Sequence, residues 1–358
     1  MGALDPWYLQ NLVCPIDRSK CDYDGKQLIS KGGRRYPVVD GVAVMLIGDE
    51  QQTIGIARAS IERASGLLDK TDQRGPQFYL ETLGISELEK VELLRLFKNN
   101  QCKIDPVAMM LIGATSGYAY KKLTGNPDLQ EYPIPEITLP PSSSGETLLD
   151  LGCSWGRWSV AAARKGYSVV GIDPSLGAVM AARRIAEQLG LNIKYVVADA
   201  RFVPFGDRSF KNVFSYSVLQ HLSKDNARKS LSEVSRVLEA GGVANIQMAN
   251  AWGVRSFQHQ LARRFRDARD FEVRYWSVSE LKAAFERIIG KTSIVPDCYF
   301  GLGWQWSDFR FMSAKNKVIL VVSEVLKRLS NFISPLRHFA DSVFCTAAKS
   351  KAGARGVS

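Results

Sequence analysis

The chain has 358 residues, 46% of them hydrophobic and 23% charged, and a formal net charge of +11. That composition excludes disordered and fibrous classes and leaves room for one large domain with an appendage, or two domains of roughly 100–200 residues. No run approaches the roughly 18 uninterrupted apolar residues needed to cross a bilayer, so any membrane contact is expected to be peripheral.

Positive charge is concentrated late in the chain: residues 251–358 hold 18 Lys and Arg against 9 Asp and Glu. Such an excess reads either as a solvated basic face or as a surface for an anionic partner. The six cysteines, at 14, 21, 102, 153, 298 and 345, are scattered, and the first residues show no charged segment leading into an apolar one. Both observations predict a reducing, cytoplasmic setting.

In chain order, residues 1–50 form a small β-rich appendage whose short strands are punctuated at Asp24-Gly25, Gly32-Gly33 and Asp40-Gly41. The segments LVCP and YPVVDGVAVML resemble the small zinc-ribbon family that includes the activator subunit of RNA and protein methyltransferases. That family usually carries paired C-x-x-C ligands. Here Asp17 stands where the partner of Cys14 would be, Ser30 and Gly33 occupy the other pair, and Cys21 is the one further thiol nearby. A structural zinc site needs four ligands, so the expectation is the shape without a metal.

Residues 51–145 turn helical, in IGIARASIERASGLLDK, SELEKVELLRLFKNN and PVAMMLIGATSGYAYKKL, and end in a Pro- and Ser-rich linker at 133–145. They read as a lid and linker region. Residues 146–358 then alternate strand-like and helix-like runs, which predicts an α/β domain with a mostly parallel sheet and helices on both faces. Strands are predicted at 147–152, 168–172, 194–198, 212–218 and 242–249, helices near 156–165, 175–189, 224–238 and 278–288. KTSIVPDCYF and ADSVFCTAAK read as two final strands around an insertion at 301–339.

LLDLGCSWGRW, residues 148–158, is the turn after the first of these strands, where an open α/β sheet binds ligands. From Gly152 it reads G-C-S-W-G-R, which departs from the G-x-G-x-x-G dinucleotide pattern at its second and third glycines. With Asp150, Gly152 and Gly156 in place and Ser154 for the central glycine, it resembles the acid-x-Gly-x-Gly-x-Gly turn of class I S-adenosylmethionine-dependent methyltransferases. VVGID, YVVADARFVPFGDRSF, VFSYSVLQHL and EVSRVLEAGGVANIQ follow in that family's order.

The resemblance implies a Rossmann-like, seven-stranded sheet with an antiparallel last strand, a methyltransferase of type 11-like pattern, and S-adenosylmethionine as cofactor with S-adenosylhomocysteine as product. It places Asp150, Gly152, Cys153, Ser154 and Gly156 in the cofactor turn. Asp173, with Pro174, would bind the ribose hydroxyls. Asp199, with Ala200 and Arg201, would meet the adenine amino group, and Ser215 and Tyr216 would line the same site. Lys211 replaces the last aspartate of the block around Asp199. Trp155 and Trp158 read either as core packing or as aromatic faces near a sulfonium.

Methyl transfer from a sulfonium needs alignment and, for a hydroxyl acceptor, a proton acceptor, but no metal or nucleophilic triad. His221, just past a strand's carboxyl end, is the general-base candidate, against a purely structural histidine. Tyr118, Tyr120, Gln220, Arg274, Tyr275, Trp304 and Trp306 are the acceptor-binding candidates, although the aromatics of the insertion also read as a small core of their own. The run 317–333, with Lys315, Lys317, Lys327 and Arg328 beside Val, Ile and Leu, reads as a core-packing helix, a dimer helix or a membrane-surface helix.

The sequence thus points to a methyltransferase acting on a hydroxyl of a small-molecule or glycan acceptor, because SYSVLQHL lacks the Asn/Asp-Pro-Pro-Tyr/Phe motif used for base and amide nitrogens. An RNA or protein methyltransferase and a non-catalytic cofactor-binding scaffold are the alternatives. A homodimer or peripheral membrane contact stays open, and nucleic acid is the weaker expectation.

Overall fold

A computed structural model describes residues 4–67, 86–98, 104–115, 131–301 and 303–350, which divide into one compact unit up to Gly206 and another from Asp207 onward. In the first unit, α1 (Pro6–Asn11) opens where the Asp5 carboxylate accepts the Trp7 N–H, with proline in the first turn. β1 (Cys21–Tyr23), β2 (Gln27–Ser30), β3 (Arg35–Val39) and β4 (Val42–Ala43) form an antiparallel meander in that order. Leu28, Val39 and Val42 are among its fully buried side chains.

This meander does not rely on its own small core. Past β4 the chain makes a parallel bridge from Val44 to Val197, and the Met45 N–H donates to the Val197 carbonyl at 2.7 Å. The Tyr8 hydroxyl donates to the Tyr195 carbonyl at 3.1 Å, and Arg183 pairs with Asp40. The appendage therefore covers an edge strand that would otherwise expose unpaired backbone groups.

The helices α2 (Gly55–Leu67), α3 (Glu87–Lys98) and α4 (Pro106–Thr115) follow. Asp105 accepts from Val107 N and Ala108 N at the start of α4, and also pairs with Arg184. The remainder of this unit is β5 (Thr147–Leu151), α5 (Arg157–Arg164), β6 (Ser168–Asp173), α6 (Leu176–Gln188) and β7 (Lys194–Val197), with β5, β6 and β7 parallel. The strands are near-continuous apolar runs because helices cover a parallel sheet on both faces. Arg184 lies on α6, as does Gln188, whose side-chain oxygen accepts from Tyr132.

The second unit comprises β8 (Phe210–Tyr216), α7 (Lys224–Val237), β9 (Leu238–Ala249), α8 (Val254–Ala262), α9 (Val278–Ile288), β10 (Thr292–Cys298), α10 (Ala314–Leu329) and β11 (Ser342–Ala348). β8 and β9 are parallel, and β11 is antiparallel to both β9 and β10. Ser223, Ser277 and Ser313 cap α7, α9 and α10, and Glu280 completes a capping box with Ser277. β9 begins at Leu238 rather than at 242, because α7 passes straight into the strand with no intervening loop.

The seven-stranded sheet has the order β10-β11-β9-β8-β5-β6-β7. This is the expected class I architecture, with the last strand inserted antiparallel between its neighbours.

Candidate cofactor and acceptor sites

In the first unit the turn after β5 is built by left-handed residues: Gly152, Ser154 and Gly156 have φ of 81°, 48° and 85°. Gly152 N and Cys153 N both donate to the Ile172 carbonyl, which ties the turn to the end of β6. A Cβ at Gly156 would stand 2.6 Å from the Tyr195 hydroxyl and 3.1 Å from the Ala182 Cβ, so only glycine fits where α5 begins. The helix starts at Arg157 and leaves its first N–H groups at the turn.

Asp150 is buried, and its carboxylate accepts the Ser159 hydroxyl at 2.6 Å. Burial pushes it up to about 7, with the nearby Asp173 charge acting in the same direction against that hydrogen bond. Cys153 is buried beside both acids, and its thiol is held far above its ordinary range, mainly by burial. It is a packing group rather than a thiolate.

Asp173 ends β6 with both carboxylate oxygens oriented by the backbone. Oδ2 accepts the Ser154 N–H at 3.0 Å, and Oδ1 accepts the Ser175 N–H at 2.9 Å. Burial raises it to about 6 even against these two donors. Asp173 and Pro174 are both partly exposed, so each oxygen keeps a lone pair that a ligand hydroxyl can approach. A ribose diol suits this carboxylate, and the small, left-handed turn suits a cofactor whose backbone contacts must be close.

Asp199 is arranged differently. Arg201 donates to it through its backbone N–H at 2.8 Å, through Nε at 3.1 and 3.2 Å, and through Nη2 at 2.7 Å. The same guanidinium reaches the Gln51 carbonyl at 2.8 Å and lies over the Phe202 ring. Asp199 is thus first of all the partner of a buried arginine, while Ala200 between them is partly exposed. Trp155 is fully buried, with its ring centroid 6.1 Å from that of Tyr132, and Trp158 is buried under Arg157.

In the second unit Ser215 is buried in β8, and Tyr216 ends the strand. Gln220 is buried, donates to the Ser217 hydroxyl at 2.6 Å, and has no partner for its Oε1 among the described residues. His221 Nδ1 lies 2.7 Å from the Phe271 carbonyl, and its ring stacks on Phe271 with centroids 3.9 Å apart. Burial, the largest influence, lowers its pKa and so favours the neutral imidazole.

Arg274 donates to the carbonyls of His221, Asp270, Glu272 and Ala268, so its guanidinium organises the backbone around His221. The Tyr275 hydroxyl is 3.3 Å from His259 Nδ1, with Arg263 over the ring. Trp304 is buried in a cluster with Met312, Leu320 and Phe309, whereas Trp306 is exposed with its ring 5.7 Å from that of Phe309. Tyr118 and Tyr120 lie outside the described residues.

Asp297 was not legible as a site residue. On β10, it gathers three donors on one oxygen: Tyr216 and Gln247 at 3.2 Å and Ser342 at 2.9 Å, all to Oδ2. These come from β8, β9 and β11, so a polar row crosses the sheet at its carboxyl edge. A Cβ at Gly303 would be 2.6 Å from the Tyr216 hydroxyl, and the Gln247 Oε1 has no partner among the described residues. Only the order of the strands joins these residues; a polar residue near the end of β8, β9 and β10 and one at the start of the antiparallel β11 are the sole sequence signal.

In the appendage, Cys14 Sγ sits 3.1 Å from the Tyr36 hydroxyl, and Asp17 accepts the Ser19 N–H at 2.9 Å. Among the described residues no group of three or more His, Cys, Asp or Glu could hold a metal ion.

Residues 148–242 match a family model described as a methyltransferase domain. Over 104 residues the chain is 34% identical to an O-methyltransferase of Aspergillus sclerotiorum, covering 28% of this chain and 38% of that one. It is 33% identical over 100 residues to a ubiquinone biosynthesis O-methyltransferase of Ruegeria sp. (strain TM1040), covering 28% and 40%. To phosphoethanolamine N-methyltransferase 2 of Caenorhabditis elegans it is 34% identical over 106 residues, covering 29% and 24%. The matches span less than half the length of these relatives. Among solved structures, Haemonchus contortus phosphoethanolamine N-methyltransferase 2 in complex with S-adenosyl-L-methionine is similar at 20% identity and a TM-score of 0.40, covering 59% of this chain and 50% of that one. Residues 148–242 thus carry a methyltransferase domain.

Proposed function

We propose that the chain is an enzyme that moves a methyl group from S-adenosylmethionine to a hydroxyl oxygen of a small-molecule or glycoconjugate acceptor. The observation that carries the reading is Asp173, a carboxylate held by one N–H from the cofactor turn and one from the start of α6, with lone pairs left for a ribose diol. The bound cofactor supplies a methyl already activated on a sulfonium sulfur. The chain's own residues have to hold the acceptor and take its proton.

His221 is one proton acceptor, since its lowered pKa keeps the ring neutral near pH 7. Asp297 is the other, as a carboxylate whose three protein donors all fall on Oδ2. Oxygen is favoured by the lack of a nitrogen-type motif after β8, and two of the relatives above are named O-methyltransferases. An RNA or protein acceptor is the second reading, favoured by the likeness of the N-terminal meander to the methyltransferase-activator family and by its seat on the β7 edge.

Calorimetry with S-adenosylmethionine, followed by a hydrolase-coupled turnover assay over phenols, alcohols and sugars, tests the reading. Cofactor binding with turnover of a hydroxyl compound is the expected result; no binding to the full chain overturns it. His221→Ala or Asp297→Asn should lower kcat by about 10²–10⁴ with cofactor affinity intact, whichever is the base. Turnover confined to RNA, with a steep loss at high salt, would replace the small acceptor by the second reading.

A further inference from the structure

Helix α10 carries apolar side chains on two faces. Its buried positions are Leu320, Ser323 and, at the cap, Ser330, and the Ser323 hydroxyl accepts the Tyr299 N–H. A second apolar face points outward: Val318 is 63% exposed, and Val321, Val322, Val325 and Leu329 are 42–49% exposed. Their spacing, 318, 321, 322, 325 and 329, is that of one continuous helical stripe. Just beyond the helix Phe332 is 88% exposed, followed by Ile333 and Phe339, both about half exposed. A soluble helix ordinarily turns such a stripe toward the core, and a contiguous exposed patch of this kind marks an interaction surface.

Charge identifies the occupant. At about 100° of rotation per residue, Lys315 and Arg328 fall on opposite flanks of the stripe, and both are exposed. Residues 301–339 hold six Lys or Arg against two acids. Of those acids, Asp308 is buried in its own turn, where it accepts from Gln305 N, and Glu324 pairs with Lys327. A second copy laid on the stripe would bring like charges together. An anionic lipid surface would accept the valines and Phe332 below the headgroups and the basic side chains at headgroup level. No described helix is long and apolar enough to cross a membrane, so the contact would lie in the interface plane.

We propose that α10 and the turn after it form a peripheral docking surface for an anionic phospholipid leaflet. Co-sedimentation of the full chain with vesicles of equimolar phosphatidylcholine and phosphatidylglycerol, against vesicles of phosphatidylcholine alone, tests this. Binding to the anionic vesicles, weakened by salt, is expected. Val318→Ser with Val322→Ser and Phe332→Ser, and separately Lys315→Glu with Arg328→Glu, should each lower partitioning at least about tenfold while the thermal unfolding midpoint is kept. No vesicle binding by the parent chain, or binding indifferent to both sets of substitutions, overturns the proposal. So does a lipid-free dimer in light scattering that the serine substitutions dissolve, since a second copy would then cover the stripe.

Discussion

At the scale of single residues, the two acids beside the proposed cofactor turn differ in what surrounds them. Asp173 meets two backbone donors and stays partly exposed, whereas Asp150 is buried against Ser159. Asp173→Ala should therefore weaken S-adenosylmethionine binding by about 1–3 kcal/mol in calorimetry, and unchanged affinity would remove it from the site. Because the free protein holds this carboxyl up near 6, ribose hydroxyls meet the ionised form above that value. Affinity should fall as pH drops through about 6, and a flat profile would contradict the assignment.

Asp150 carries the opposite message for stability. Its folded value, about 7, lies above the ordinary 3.8, so the folded state binds the proton more tightly than the unfolded chain. Its contribution is favourable at low pH and is lost as pH rises through that window. Asp150→Asn, which imitates the protonated form, should unfold at a higher temperature than the parent at about pH 8, with the gap closing toward about pH 4. Had Asp150 been an ion-paired carboxylate, the variant would instead be the less stable at the higher pH.

At the scale of elements, the β5–α5 turn shows why one glycine of the pattern could be replaced and another could not. Ser154 adopts a left-handed φ of 48°. A serine there costs about 1–2 kcal/mol in backbone strain relative to glycine. Ser154→Gly should raise the denaturant midpoint by roughly 1 kcal/mol of stability with cofactor binding retained; a lower midpoint would mean the hydroxyl has a structural partner. At Gly156 the left-handed φ is compounded by the Tyr195 hydroxyl, so Gly156→Ala should cost about 1–3 kcal/mol. Adding Tyr195→Phe should recover part of that loss, because it removes the clashing oxygen and leaves the backbone strain. Equal stability of the single and double variants would place the whole cost in the backbone.

At the scale of the whole molecule, the appendage and the first unit's sheet are one structure. The Met45 N–H donates to the Val197 carbonyl, and the Val44–Val197 bridge continues the edge beyond β7. Met45→Pro removes that donor and should cost about 1–3 kcal/mol, with light scattering on heating rising earlier than in the parent as the β7 edge opens. An unaltered scattering onset would show that the edge is protected by other contacts, such as the buried Tyr8 anchor.

Local chemistry was legible in the sequence. Apolar strand runs and the small turn after β5 act within a few residues, and their periodicity and spacing survive in one dimension. The matching blocks from 148 to 242 pointed to the cofactor for the same reason, since each lies within one strand or helix end and the turn that follows it. Tertiary structure decided what depends on strand order and on which face a helix presents. Arg201 became the partner of Asp199 and Arg274 a clamp on carbonyls because burial requires each guanidinium to be satisfied. Asp297 met Tyr216, Gln247 and Ser342 only through β-strand neighbours 45 to 81 positions away. The apolar stripe of α10 looks in sequence like any core-facing helix; its outward direction was settled by where Leu320 and Ser323 found contacts.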